Sequence, residues 1–139
     1  MAKRNRPEQK IHQATVQYLR IMENLGKLTF FHPPNGGGRS KAEGGIFKSL
    51  GVKPGVPDLV LLFPGGRCAF IEIKAPGGRT SEAQKEFRNQ AEYFGFAYAE
   101  CRAVDEVERF VRGLIANPRT LAAGRVMPEG PQALEPDSG

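Results

Sequence analysis

The residues with the most chemical content stand in two short apolar runs. CAFIEIKA (68–75) has the length and composition of a strand, yet it carries Glu72 and Lys74 two positions apart. Side chains alternate along a strand, so both leave one face while Ile71 and Ile73 take the other. Asp58 opens the second run, DLVLLF (58–63). A carboxylate from each of two strands, with a lysine beside them, suits metal-dependent hydrolysis of a phosphodiester. Paired carboxylates hold a hard divalent cation. The cation polarises a phosphoryl oxygen and acidifies water. The lysine orients that water or offsets charge developing in the transition state.

This chemistry makes a demand on the turn. Asp58 and Glu72 share a face only if they stand directly opposite one another. That pairing also sets Phe63 against Arg67 and leaves Pro64, Gly65 and Gly66 as a loop of three. A two-residue Gly65–Gly66 turn would pair Asp58 with Ile73 and send its carboxylate to the wrong face. The spacing therefore predicts an odd-length loop. A competing account also fits these residues: Glu and Lys are ordinary on the outer face of a strand, and Asp after Pro is an ordinary turn residue.

Positioning such a site falls to the surrounding elements. Pro7 and Glu8 suit the start of a helix, by backbone geometry and dipole respectively. Ile11, Thr15, Tyr18, Met22 and Leu25 recur on one face, and Gly26 ends the helix. KLTFFH (27–32) reads as a short strand, PPNGGGRSKAEGG (33–45) as a loop, Ile46–Leu50 as a short helix and GVKPGVP (51–57) as a turn-rich stretch. After the hairpin, Ser81 with Gln84 three residues on is a capping box. The helix it opens turns Ala83, Phe87, Ala91 and Phe94 inward and stops at Gly95. FAYAEC (96–101) is a further strand, and Val104, Val107, Val111 and Leu114 mark a last helix. Tyr18, Phe30 and Phe31 fit the apolar faces of their elements and are expected in the core. The order predicts an α/β fold: a mixed four-stranded sheet flanked by helices, with a parallel crossover between the strands on either side of the Ser81 helix. Residues 1–6 form a basic N-terminus expected to be flexible, 7–116 the domain, and 117–139 a loosely ordered Pro/Gly-rich tail.

Composition agrees and excludes alternatives. The 139 residues are 40% hydrophobic and 25% charged, one ordinary domain. The net charge of +5 is uneven: residues 1–48 carry +6 and residues 81–139 carry −3. A polyanion is expected to meet the first half. No apolar run approaches membrane-spanning length, and the basic N-terminus lacks the apolar segment of a secretory signal. Cys68 and Cys101 are too few for a disulfide scaffold or a zinc knot, which suits the cytoplasm. His12 and His32 stand too far apart in sequence for a zinc hydrolase helix. NGGGRSK (35–41) lacks the ending of a nucleotide-binding phosphate loop, so no nucleotide cofactor is expected. Its glycines, with Asn35, Arg39 and Lys41, remain suited to a DNA phosphate, as does Arg79 before the Ser81 helix. Each also suits an incidental charge on a loop.

PGVPDLVLLF (54–63) and FIEIKAPGGRTSEAQKEF (70–87) together resemble the PD-(D/E)xK nuclease superfamily. Within it the similarity is to the VRR-NUC family, in the compact stand-alone form found in phages. It spans about Pro7 to Leu114. It is strongest at GVPDLV (55–60) and IEIKAPGGRTSEAQ (71–84), with support from PEQKIHQ (7–13) and PNGGGR (34–39). The resemblance implies a restriction-endonuclease-like core. It implies that Asp58, Glu72 and the backbone carbonyl of Ile73 bind Mg²⁺ or Mn²⁺ and that Lys74 is catalytic. It brings Glu8 to the site, for a second metal or its water, although a helix N-terminus alone would favour that carboxylate. It sets Gln84 beside the lysine, a role compatible with capping. It also implies a homodimeric DNA endonuclease that leaves 5′-phosphates and favours branched DNA such as four-way (Holliday) junctions, acting in the cytoplasm of a phage's bacterial host. Two rivals remain open: a nuclease for linear duplex, flap or nicked DNA, and a DNA-binding module without catalysis.

Overall fold

The computed structural model describes residues 7–34 and 41–117, with residues 41–43 described by their backbone alone. Eight elements follow one another: α1 (Pro7–Asn24), β1 (Thr29–Phe31), α2 (Lys41–Ser49), β2 (Leu59–Phe63), β3 (Arg67–Ile73), α3 (Glu82–Tyr93), β4 (Ala97–Cys101) and α4 (Val104–Ala116). The strands form one mixed sheet in the order β1-β2-β3-β4. The pairs β1–β2 and β2–β3 are antiparallel, and β3–β4 is parallel, joined through α3.

The two faces of the sheet are chemically different. Leu59, Leu61, Ile71 and Ile73 are fully buried and pack with Leu19 of α1 and Val107 and Val111 of α4. Fully burying one such side chain is worth about 1.5–3 kcal/mol, so this side is the main stabilising core. On the opposite face Phe70 and Tyr98 meet Phe87 of α3, with ring centroids 5.3 Å apart for Phe70–Phe87. Glu72 shares that second face by alternation, so it emerges beside α3 rather than into the aliphatic core.

Several local expectations need correction. Helix α2 begins at Lys41, well before Ile46, with the two glycines at 44 and 45 carried inside it. Leu25 is 63% exposed: it lies past the last residue of α1, where the chain reverses at Gly26 with φ +77°. Leu19 takes the central place on that helix instead. Phe31 is exposed because β1 is an edge strand, and only Phe30 faces the core. Phe94 is exposed for a similar reason, being the C-cap of α3 just before Gly95 at φ +92°. Cys68 and Cys101 are free thiols. Among the described residues no helix is long and apolar enough to cross a membrane. The N-terminus, the tail, Asn35 and Arg39, and the side chain of Lys41, lie outside the described residues.

Candidate active site

The hairpin delivers the pairing that the chemistry demands. Leu59 stands opposite Ile71 and Phe63 opposite Arg67, so Pro64, Gly65 and Gly66 form the connection. Gly65 and Gly66 have φ of +84° and +77°, a conformation only glycine adopts without strain. The register continued by one residue sets Asp58 opposite Glu72. Asp58 also closes the ladder with its side chain: Oδ2 accepts the Ile73 N–H at 2.8 Å. Lys74 is held next to it, its N–H donating to the Cys101 carbonyl at 2.9 Å.

Gln84 organises the acidic and basic partners. Its Nε2 donates to Glu72 Oε2 at 2.7 Å, and its Oε1 accepts from Lys74 Nζ at 2.8 Å. The same Oε1 accepts the Ser81 N–H at 2.9 Å, while Ser81 Oγ accepts the Gln84 N–H at 3.1 Å. One side chain therefore caps α3 and fixes both Glu72 and Lys74. Lys74 Nζ lies 3.6 Å from Glu72 Oε2, and both side chains are almost wholly buried. The loop between them and α3 is pinned from β4. Arg102 donates to the Ala75 carbonyl and to Glu100, each at 2.7 Å, and Thr80 donates to Glu100 at 2.8 Å.

Glu72 is electrostatically unsettled. Burial and then the charge of Asp58 push its carboxyl up to about 8; Lys74 opposes the shift and Glu8 adds to it. Its Oε1 is buried without a hydrogen-bond partner among the described residues. Such an atom costs about 1–3 kcal/mol when left unsatisfied. A hard divalent cation matches this donor set. It would give Oε1 a partner and offset the repulsion among Glu72, Asp58 and Glu8.

The structure adds residues whose role the sequence does not disclose. Glu8 and His12, one helical turn apart on α1, line an open cleft with His32 and Asp58. His12 and His32, twenty residues apart in sequence, meet edge to face with ring centroids 4.8 Å apart. Their separation in sequence thus fails as an argument against a joint role. Burial holds the His12 imidazole below its ordinary range, against the pull of Asp58. His32 Nδ1 lies 2.6 Å from the Asp58 carbonyl, and since a carbonyl only accepts, that nitrogen carries the proton. The only sequence signal was that His32 ends the β1 run and His12 lies one turn from Glu8.

Gly55 is the other such residue. At φ +78°, a Cβ there would collide with the Ala83 carbonyl group and come within 2.8 Å of the Gln84 nitrogen. The loop leading into Asp58 therefore rests directly on the start of α3. Arg79 is exposed in the loop before α3 and makes no ion pair among the described residues.

Comparison with known proteins fits this arrangement. Residues 39–105 match the family model described as the VRR-NUC domain. A solved structure of a VRR_NUC domain protein is 21% identical, with a TM-score of 0.62 over 82% of this chain and 92% of that one. A second, a VRR_NUC domain, is 15% identical with a TM-score of 0.54, over 78% of this chain and 97% of that one. At such identities the two structures speak to the fold alone. No curated protein matches in sequence. The α/β fold and the family match agree: over residues 39–105 this chain carries a VRR-NUC domain, a family that implies a nuclease-type, DNA-processing role.

Proposed function

We propose that the protein is a divalent-metal-dependent DNA endonuclease of the PD-(D/E)xK type. The observation that carries this reading is the buried, unpartnered Oε1 of Glu72, next to Lys74 and opposite Asp58. Asp58, Glu72 and the Ile73 carbonyl would hold Mg²⁺ or Mn²⁺, and Glu8 borders the same cleft. A bound cation supplies Lewis acidity towards the phosphodiester and acidifies water. The chain's own groups do the rest. Gln84 holds Lys74 and Glu72 in fixed rotamers, so no reorganisation is needed as charge develops. Lys74 presents its ammonium to the reacting phosphate and can orient the attacking water.

The preferred substrate in this reading is branched DNA, cut by a homodimer to leave 5′-phosphates. A two-fold assembly offers two sites to two symmetric strands. Recognition rests on backbone and shape, since among the described residues no element presents an evident base-reading set. Cytoplasmic action in a phage-infected host belongs to the same proposal.

One assay tests it. Wild type and Lys74→Ala are each given a labelled four-way junction and a linear duplex of the same sequence, with Mg²⁺, Mn²⁺ or EDTA. Metal-dependent cutting of the junction alone, lost in Lys74→Ala while DNA binding persists, is the expected result. Equal cutting of both DNAs keeps the nuclease and removes the junction preference. Binding without cutting in either metal overturns the nuclease and leaves a DNA-binding module.

A further inference from the structure

We propose that His12, His32 and Asp58 form a second cation position, one that takes a first-row divalent transition ion of the Mn²⁺, Co²⁺ or Zn²⁺ class. One ligand-capable atom from each lies within 4.8 Å of the others, and among the described residues no other trio of His, Cys, Asp or Glu does so. Metal–nitrogen bonds of about 2.0–2.1 Å place ligand atoms roughly 3–4 Å apart, a gap closed by small ring rotations.

Orientation supports the assignment independently of distance. His32 donates through Nδ1 to the Asp58 backbone carbonyl at 2.6 Å. In the neutral ring this leaves Nε2 as the unprotonated, ligating nitrogen. A backbone carbonyl on the far nitrogen is the usual way a metal-bound imidazole is oriented. Asp58 Oδ2 is engaged by Ile73, which leaves Oδ1 for the trio. Glu8 borders the same cleft and can add an oxygen.

The donor chemistry separates this position from that of Glu72. Two imidazoles with one carboxylate suit transition ions, whereas Mg²⁺ prefers oxygen alone. Asp58 is common to both, so the two cations would be neighbours bridged by it, with the His-lined one on the α1 side. The inference extends the metal-dependent reading, but binding can be measured without DNA.

The test uses the full chain, stripped of metal, and titrates Co²⁺ alone by calorimetry and visible absorption, with excess Mg²⁺ as competitor. Wild type and Glu72→Gln are expected to bind Co²⁺ with nitrogen-type absorption that Mg²⁺ does not displace. His12→Ala and His32→Ala are expected to bind at least about 10–100-fold more weakly, the range seen when the surroundings of a metal-binding site are disturbed. His32 is exposed, so its variant folds and keeps the test decisive if His12→Ala does not. Unchanged Co²⁺ affinity in the His32 variant, absence of binding in wild type, or loss of binding in Glu72→Gln would each overturn the proposal. Co²⁺ binding by a chain that cuts no DNA would keep this site while removing the nuclease. DNA cutting without Co²⁺ binding would do the reverse.

Discussion

At the scale of single residues, Glu72 gives the sharpest consequence. Its carboxyl titrates near 8 in the folded chain and at its ordinary value of 4.5 when unfolded, chiefly because it is buried and next because Asp58 is negative. Between those values the folded state binds the extra proton, so this residue's contribution to stability is present below about pH 4.5 and falls as pH rises towards 8. Metal-free wild type should therefore lose Tm over that window relative to Glu72→Gln, whose side chain does not titrate. Added Mg²⁺ should restore wild type most strongly at the alkaline end and do little for the variant. Paired thermal melts in EDTA and in Mg²⁺ across pH 5–8 check this, and parallel curves for the two proteins would refute it. Asp58, Glu72, Lys74 and Gln84 were legible in the sequence because strand alternation and a capping box are local rules. His12 and His32 were not. Nothing local joins a residue in α1 to one just after β1; only docking of that helix beside the sheet edge brings their rings to 4.8 Å.

At the scale of elements, the hairpin and the α3 cap act as one positioning device. Deleting Leu62 from β2 moves every β2 residue before it by one against β3, so Asp58 no longer stands opposite Glu72 and faces away from it. The same shift would turn Leu59 and Leu61 out of the core. The expected result is therefore loss of both metal binding and stability, read by calorimetry and thermal melting. Replacing Gly65 by Ala keeps the register and strains only the turn, by roughly 1–3 kcal/mol, so metal binding should survive. Gly55→Ala tests the other contact. The added Cβ meets the Ala83 carbonyl and must push the Asp58 loop away from α3. It should weaken metal affinity and cleavage more than a turn glycine's strain alone explains, with Gly65→Ala as the comparison. Helix and strand order, the hairpin loop and the Gly26 and Gly95 stops could all be read from sequence, since each is a local signal. The start of α2 could not, because Gly44 and Gly45 imitate a loop. The closeness demanded of Gly55 is tertiary and leaves no pattern in the chain.

At the scale of the whole molecule, charge and architecture have to be considered together. The sheet buries its aliphatic face against α1 and α4 and leaves its acidic edge between α1 and α3. A polyanion approaching Asp58, Glu72 and Glu8 meets repulsion there unless cations and flanking basic residues compensate. Arg79, exposed and unpaired in the loop ahead of α3, is placed to do so near the helix N-terminus. Neutralised phosphates release counterions, so affinity should fall steeply with salt. Arg79→Ala should weaken binding by a similar factor for junction and duplex, and flatten the plot of log affinity against log salt by about one unit. Cleavage at saturating DNA should change little, because Arg79 is outside the Glu72–Gln84–Lys74 network. Salt-titrated binding of both DNAs to wild type and variant measures all three. A loss confined to the junction would instead make Arg79 a reader of branched shape, and an unchanged slope would remove it from the interface. The charge imbalance of the sequence, +6 over residues 1–48, pointed to a polyanion without saying where it lies. The fold sets Arg79 two residues before Ser81, the N-cap of α3, the helix whose Gln84 contacts Glu72.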